Sequence, residues 1–150
     1  MTDLPLVSVV MPIYNGGPYL AGAIQSILKQ SYKNFEFLII DDGSTDGSLL
    51  VMNKYEKIDA RIKVIRHIKN QGLISTLNTG IQAAQGKYLA RMDQDDISLP
   101  QRLCRQVKHL EAFPEVGILG CRVHHIDTTG RLLSVPPMFL DDLSIQWHIL

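Results

Sequence analysis

The sequence predicts an α/β protein of the doubly wound class, with a mostly parallel sheet flanked by helices. Runs rich in β-branched and aromatic residues at 6–11, 35–40, 62–68 and 87–92 alternate with segments whose apolar residues recur at helical spacing. Turn-forming residues separate the two kinds of segment. Strands that alternate with helices pair in parallel through crossovers, and a buried sheet needs helices on both faces.

The first two strand-helix units are defined by their turns. Pro12 closes the first run, a Gly-Gly-Pro turn follows, and apolar residues then recur at positions 20, 23, 24, 27 and 28. The second run ends at Asp41-Asp42-Gly43, after which Ser44 or Thr45 is expected to cap a helix.

The later elements continue the alternation of strand and helix. A third strand, 62–68, precedes a helix over about 73–84, and Gly86 leads into the fourth strand, 87–92. Ser98 and Pro100 are expected to open another helix. Residues 116–123 predict a fifth strand, and Asp127-Thr-Thr-Gly130 predicts a turn into a shorter one.

Composition predicts one cytoplasmic domain spanning residues 1–150. The chain is 45% hydrophobic and 20% charged, which is ordinary for a globular protein. Lys+Arg and Asp+Glu balance at 15 each, so a general nucleic-acid or anionic-membrane surface is not expected. The two cysteines lack metal-site spacing. No apolar run reaches the roughly 18 residues of a membrane span, and the N-terminus lacks the basic flank of a signal peptide.

A ligand site is predicted where the strand order reverses. In such sheets ligands bind beyond the carboxyl ends of the strands, and the usual order 3-2-1-4 makes strands one and four neighbours there. This order gathers Pro12, Tyr14 and Asn15, the pair Asp41-Asp42, and an acidic cluster after the fourth strand. The cluster contains Asp93, Asp95 and Asp96. Its oxygens suit Mg²⁺ or Mn²⁺, which usually leave positions open for substrate phosphates.

Each candidate has a structural alternative. Tyr14 could cover a planar base or close the core. One aspartate of the Asp41-Asp42 pair suits a helix N-terminus, whereas the second could accept from a pyrimidine N–H or a ribose hydroxyl. Gly72 suits a tight turn or a backbone approach to a diphosphate. The sequence contains no Gly-x-Gly-x-x-Gly, P-loop or Gly-x-Ser-x-Gly motif, which excludes those site types.

The motifs together resemble the family 2 glycosyltransferases, which have the Rossmann-like GT-A fold. They are Val-Ser-Val-Val-Met-Pro-Ile-Tyr-Asn, Asp-Asp-Gly-Ser-Thr-Asp, Asn-x-Gly twice, Gly-Lys-Tyr-Leu with Asp-x-Asp-Asp, and Pro-x-Arg-Leu. Each is weak alone, but five in order are specific, and they cover residues 6 to about 125. The resemblance implies metal-assisted transfer of a sugar, with inversion, from a nucleotide-sugar donor to a hydroxyl group. A UDP-sugar is the expected donor, a saccharide or lipid-linked molecule the expected acceptor, and cell-surface polysaccharide or glycolipid the expected product.

Roles carry over by matching position. The resemblance implies that Pro12 and Tyr14 line the base, that Asp42 with Asp41 contacts uracil or ribose, and that Asn15 belongs to the nucleotide-binding site. Gly72 would lie near the nucleotide, and Arg102 would brace the acidic loop. Asp93 with Asp95 forms the Asp-x-Asp element; Asp95 is expected closest to the metal, with Asp96 as its rival.

The resemblance also exposes a gap, because no residue matches the family's general base. Family members continue further, so we expect a truncated chain that holds the donor half and lacks the acceptor half. A helix begun at Asp141 or Asp142 would be cut at the end, and exposed Trp147, Ile149 and Leu150 would favour self-association. The alternative function is a nucleotide-sugar binding module without turnover. A location at the inner face of the membrane would suit a lipid-linked acceptor.

Overall fold

The structure is a computed structural model that describes residues 4–134. Contacts divide the chain after Phe113 into two units, which are taken one at a time. The first contains strands β1 (Val7–Ile13), β2 (Phe35–Asp41), β3 (Ile62–Arg66) and β4 (Tyr88–Arg91), and helices α1 (Leu20–Leu28), α2 (Ser48–Ile58), α3 (Leu73–Ala83) and α4 (Arg102–Ala112). A single 3-10 turn, Gly17–Tyr19, precedes α1.

The sheet is parallel and has the order β3-β2-β1-β4. β1 pairs with β2 from Val7↔Phe35 to Ile13↔Asp41. On its other side β1 pairs with β4 only as far as Val10↔Arg91. The predicted fold class and strand order are therefore confirmed, and β1 is the strand where the order reverses.

Helices cover both faces of this sheet. One cluster joins alternate residues of β1, among them Val9 and Met11, to α1, to Met52 of α2 and to Leu103 of α4. The other face is smaller: Val10, Leu38 and Ile40 pack under α3. All seven residues of β1 are buried, as expected of a strand with helices on both faces.

Close packing explains one glycine of the repeated Asn-x-Gly motif. A Cβ at Gly80 would lie 2.4 Å from Val10 Cγ1, so α3 approaches the sheet at a point where no side chain fits. The other glycine, Gly72, has open space at the Cβ position and a φ of +87°. The second Asn-x-Gly therefore needs glycine for close packing, whereas the first needs it for a positive φ.

Several predicted boundaries were wrong in the first unit. β3 ends at Arg66 rather than at 68, and α4 begins at Arg102, after the predicted start at Ser98 and Pro100. β1 runs through Pro12 to Ile13, because the Pro12 nitrogen is not needed for the ladder at the end of the β1–β4 pairing. Neither Ser44 nor Thr45 caps α2, which begins at Ser48 after Gly47. Both residues instead bond to Asn15 in the loop after β1.

The described part of the second unit, residues 114–134, contains a two-stranded antiparallel ladder. β5 (His125–Ile126) pairs with β6 (Leu132–Ser134) around the predicted turn at 127–130. The predicted strand over 116–123 was wrong, because these residues have no strand pairing and Ile118 is 78% exposed. An apolar run becomes a strand only where a partner supplies the ladder, and Gly117 and Gly120 further weaken this one.

The predicted helix at Asp141 or Asp142 and the predicted apolar surface at Trp147, Ile149 and Leu150 lie outside the described residues. Between residues 4 and 134, no helix has the length and apolar character needed to cross a bilayer. The prediction of one donor-binding domain over 1–150 stays a prediction.

Candidate functional site

A crevice opens where β1 and β4 part. The last backbone–backbone hydrogen bond between the two segments runs from Met92 N–H, just after β4, to Val10 O at 3.0 Å. Beyond it, β1 continues beside β2 while the chain after β4 turns away. A pocket of about 380 Å³ lies in the gap. Six of the predicted site residues line it: Pro12, Tyr14, Asp42, Gly72, Asp93 and Asp95.

Three predicted site residues lie beside this pocket and are not part of its lining. Asn15 has a φ of +51°, and its side-chain oxygen accepts from Thr45 N–H at 2.9 Å. Asp41 is fully buried, and its Oδ1 accepts from Ser44 N–H at 2.9 Å. Both residues therefore hold turns around the site. Asp96, the third, belongs to the acidic cluster.

Tyr14 stands in the pocket wall with 47% of its surface exposed, so it does not close the core. Its backbone is held by Gln94, which sequence reasoning missed. Tyr14 N–H donates to Gln94 Oε1 at 2.9 Å, and Gln94 Nε2 donates to Tyr14 O at 3.3 Å. One side-chain amide thus replaces a strand residue and bridges the crevice. In the sequence, the only sign of this role was the position of Gln94 between the two aspartates of the Asp-x-Asp element.

Asp42 is 3% exposed at the back of the pocket. Its Oδ1 accepts from Gln71 N–H at 2.9 Å and its Oδ2 from Gly72 N–H at 2.8 Å. Burial raises the pKa of Asp42, but the hydrogen bonds from His67 and from this turn outweigh burial, so the pKa lies below its ordinary value. The carboxylate therefore stays ionised and fixes the turn that leads into α3.

His67 is a second residue that sequence reasoning missed. It follows β3 and is 9% exposed. Nδ1 lies 2.8 Å from Asp42 Oδ1, and Nε2 lies 3.0 Å from Thr79 Oγ1. A lone histidine after a strand carries no motif, so only its contacts reveal it.

The acidic cluster holds two carboxylates in the pocket wall, Asp93 and Asp95. Arg91 Nε donates to Asp93 Oδ1 at 3.0 Å. Burial and the charges of Asp93 and Asp95 raise the pKa of Asp96 above its ordinary value. Mutual repulsion among these groups is what a divalent cation would relieve.

The donor chemistry fits a hard divalent ion, because carboxylate oxygens are its preferred ligands. Among residues 4–134, however, no three His, Cys, Asp or Glu side chains form a ready metal cage. The carboxylates of the acidic cluster can therefore supply part of the coordination shell of a divalent cation.

Two contacts secure the segment around the cluster. Arg102 Nη1 donates to Arg91 O at 3.3 Å, which is the kind of contact expected of a bracing residue. On the C-terminal side of the cluster, Leu99 and Leu103 are held by the buried side chain of Gln30. This side chain donates to Leu99 O at 2.8 Å and accepts from Leu103 N–H at 3.0 Å. The acidic loop is thus tied at both ends.

The strand order, the helices on both faces and the crevice at the switch point define a GT-A protein. Residues 8–148 match the family model described as Glycosyl transferase family 2. The chain therefore belongs to glycosyltransferase family 2.

Curated relatives of this chain are also named as glycosyltransferases. An uncharacterized glycosyltransferase of Haemophilus influenzae is 42% identical over 120 residues, which are 80% of this chain and 37% of that protein. The putative glycosyltransferase EpsE of Bacillus subtilis is 42% identical over 137 residues, covering 82% of this chain and 49% of that protein. The chain thus spans less than half the length of each.

Solved structures show the same fold with ligands. The mannosyltransferase PcManGT of Pyrobaculum calidifontis, in complex with GDP-Man and Mn²⁺, superposes with a TM-score of 0.70 at 29% identity. That match covers 77% of this chain and 35% of the other. S. aureus TarS 1–349 in complex with UDP-GlcNAc gives a TM-score of 0.66 at 28% identity, covering 71% and 31% of the two chains.

Proposed function

We propose that this chain is the donor-binding part of an inverting glycosyltransferase, which moves a sugar from a UDP-sugar to a hydroxyl acceptor with the help of Mn²⁺ or Mg²⁺. The observation that carries the proposal is the pocket itself. It joins an exposed aromatic ring, an ionised buried carboxylate and an acidic loop at the point where the strand order reverses. These groups match the base, the ribose and the diphosphate of a nucleotide sugar.

The nucleoside would bind on the β1–β2 side of the pocket. Tyr14 offers an exposed ring face for stacking, and Pro12 adds an apolar edge. Asp42 can accept from an imide N–H or a ribose hydroxyl because its pKa lies below the ordinary range and it stays ionised. The open space at Gly72 leaves room for a close backbone approach.

The diphosphate would face the acidic loop. Asp95 and Asp93 would hold the cation, with Asp96 as the rival ligand, and phosphate oxygens and water would complete the shell. When bound, such a cation stabilises the charge that develops on the departing nucleoside diphosphate. Besides the cation, the guanidinium group of Arg91 in the pocket wall would add a positive charge near the diphosphate.

The preference for a UDP-sugar draws on the TarS complexes with UDP and UDP-GlcNAc. PcManGT, bound to GDP-Man, makes GDP the main competitor. The relative TuaG of Bacillus subtilis is named for teichuronic acid biosynthesis, which supports a role in cell-surface polysaccharide or glycolipid assembly. We place the reaction in the cytoplasm, with a saccharide or lipid-linked acceptor at the inner face of the membrane.

Inversion requires a base that takes the proton of the acceptor hydroxyl. No residue of the described part matches the family's base motif, so the second candidate is a nucleotide-sugar binding module without turnover. Slow Mn²⁺-dependent hydrolysis of the donor by the 150-residue chain would favour the enzyme. Tight donor binding with no hydrolysis would favour the module.

The test of the site is calorimetric titration of the chain with UDP, GDP and dTDP, each with and without Mn²⁺. We expect UDP to bind tightest and to need the metal. Asp95→Asn should abolish the metal-dependent part, whereas Glu115→Gln, which removes an exposed acid outside the pocket, should leave binding unchanged. Equal binding by Asp95→Asn and the unmodified chain would reject Asp95 as a metal ligand, and equal binding by Asp96→Asn as well would reject the acidic loop as the metal site. No binding by any nucleotide would reject the proposed function.

A further inference from the structure

His67 lies behind the pocket and does not line it. Its ring is 9% exposed and bridges two elements, the end of β2 through Asp42 and the middle of α3 through Thr79. Its backbone N–H donates to Asp41 O at 2.8 Å, which continues the β2–β3 ladder past Arg66. Both the backbone and the ring of this residue are therefore held in place.

The hydrogen bonds define which ring nitrogen carries a proton. An ionised carboxylate can only accept, so Nδ1 must donate to Asp42 Oδ1 over the 2.8 Å between them. Thr79 Oγ1 lies 3.0 Å from Nε2 and 3.1 Å from Ser75 O in the preceding turn of α3, and its single hydroxyl proton can be donated to either acceptor. The helix thus fixes the far side of the ring, and the ring aims Nδ1–H at the carboxylate.

The result is a carboxylate that cannot turn. Oδ1 takes His67 and Gln71 N–H, and Oδ2 takes Gly72 N–H at 2.8 Å. These three donors occupy most of the roughly four acceptor positions of a carboxylate, and the Thr76 hydroxyl, which also helps to lower the pKa of Asp42, lies beside it as well. The carboxylate is therefore held in one orientation, at a residue that lines the pocket.

We propose that His67 is a positioning residue for the nucleoside part of the donor, acting through Asp42. The proposal rests on the proposed function of the same pocket. His67 fixes Asp42 both as the acceptor for the ligand and as the anchor of the Gln71-Gly72 turn. Without Nδ1–H, the orientation of the carboxylate depends mainly on the Gln71-Gly72 turn, so carboxylate and turn are held less firmly and binding must order them at the expense of affinity.

The test compares two neutral amides that mimic different nitrogens of the ring. In His67→Asn the amide nitrogen sits near the place of Nδ1 and can still donate to Asp42. In His67→Gln it sits near the place of Nε2 and reaches towards Thr79 instead. A hydrogen bond to a charged group is among the stronger ones, so we expect His67→Gln to weaken UDP binding about 10- to 100-fold, and His67→Asn to recover most of that loss.

The defect should fall on the nucleoside alone. Calorimetry with uridine and with UDP plus Mn²⁺ should show the same fold-loss for both ligands in His67→Gln. His109→Gln, which changes an exposed histidine of α4 outside the pocket, should bind as the unmodified chain does. Thermal unfolding of each variant gives the folded fraction, so that affinity is stated per folded molecule.

A spectroscopic test on the unmodified chain does not depend on any variant folding. Long-range ¹H–¹⁵N correlation of the imidazole should show a proton on Nδ1 of His67, and the ring signals should shift on addition of UDP. A neutral ring protonated only at Nε2 would overturn the proposal. So would equal UDP affinities for His67→Asn and His67→Gln while the unmodified chain binds. If the unmodified chain binds no nucleotide, the proposed function itself fails and this proposal fails with it.

Discussion

Gln30 is a fully buried polar side chain whose loss should destabilise this fold strongly. It is 0% exposed, immediately after α1 and Lys29. Its Nε2 donates to Leu99 O at 2.8 Å and to Ser98 Oγ at 3.1 Å, and its Oε1 accepts from Leu103 N–H at 3.0 Å. One amide therefore joins the end of α1 to the loop after the acidic cluster and to the first turn of α4.

Replacing Gln30 by Leu keeps the approximate volume and removes all of these bonds. Leu103 N–H is then left without its partner in a buried place, which costs about 1–3 kcal/mol. Leu99 C=O still accepts from Arg102 N–H, so the lost bonds to Leu99 O and Ser98 Oγ add only about 1–2 kcal/mol together. The sum, about 2–5 kcal/mol, is a large part of the roughly 5–15 kcal/mol that typically stabilises a domain. With a urea slope of about 2 kcal/mol per molar, the midpoint of unfolding should fall by roughly 1–2.5 M.

The assay is urea unfolding followed by far-UV circular dichroism, which reports the helices. Gln82→Leu is the matched control, because Gln82 is exposed on α3 and the change should stay within about 0.5 kcal/mol. Gln30→Glu is a second probe: it keeps an acceptor for Leu103 N–H but sets a buried charge against Leu99 O, so it should destabilise at least as much at neutral pH. A midpoint for Gln30→Leu equal to that of Gln82→Leu would refute the reasoning.

Three further predictions concern the sheet and the crevice. Gly80→Ala should lower the free energy of unfolding by about 1–3 kcal/mol, because its Cβ would lie 2.4 Å from Val10 Cγ1, and thermal unfolding measures this loss. Asp96→Asn should raise the melting temperature of the metal-free chain at pH 7, because burial and two neighbouring aspartates raise the pKa of Asp96. A group with a raised folded pKa contributes stability below its unfolded pKa and loses it as pH rises through the folded pKa, so the gain should vanish near about pH 3. Gln94→Ala should weaken UDP binding about 2- to 10-fold in calorimetry, because two hydrogen bonds across the crevice are lost.

Each of these predictions has an outcome that would contradict it. Gly117→Ala, with nothing within 4 Å of the new Cβ, is the control for Gly80, and equal stability of the two variants would disprove the packing argument. A melting temperature of Asp96→Asn below that of the unmodified chain at pH 7 would show that the Asp96 carboxylate stabilises the acidic loop despite its charged neighbours. For Gln94, unchanged UDP affinity in Gln94→Ala would mean that the bridge to Tyr14 does not shape the pocket.

The sequence alone determined the fold class, the strand order and most of the pocket lining. Periodicity and turn residues are local signals, and β1 to β4 all appeared near their predicted positions. The parallel topology then placed the strand ends together, so the crevice followed from sequence order. The strand predicted at 116–123 shows the limit of this reasoning, because an apolar run says nothing about whether a neighbouring strand is present.

Only the tertiary structure decided how the site is held. Gln94 bonds to Tyr14, 80 residues away, and His67 bonds to Asp42, 25 residues away. It also showed that Asn15 and Asp41 hold turns beside the pocket. Such contacts depend on side chains at the ends of different strands meeting within about 3 Å. No spacing along the chain encodes that distance, because it arises only once the sheet has brought the strand ends together.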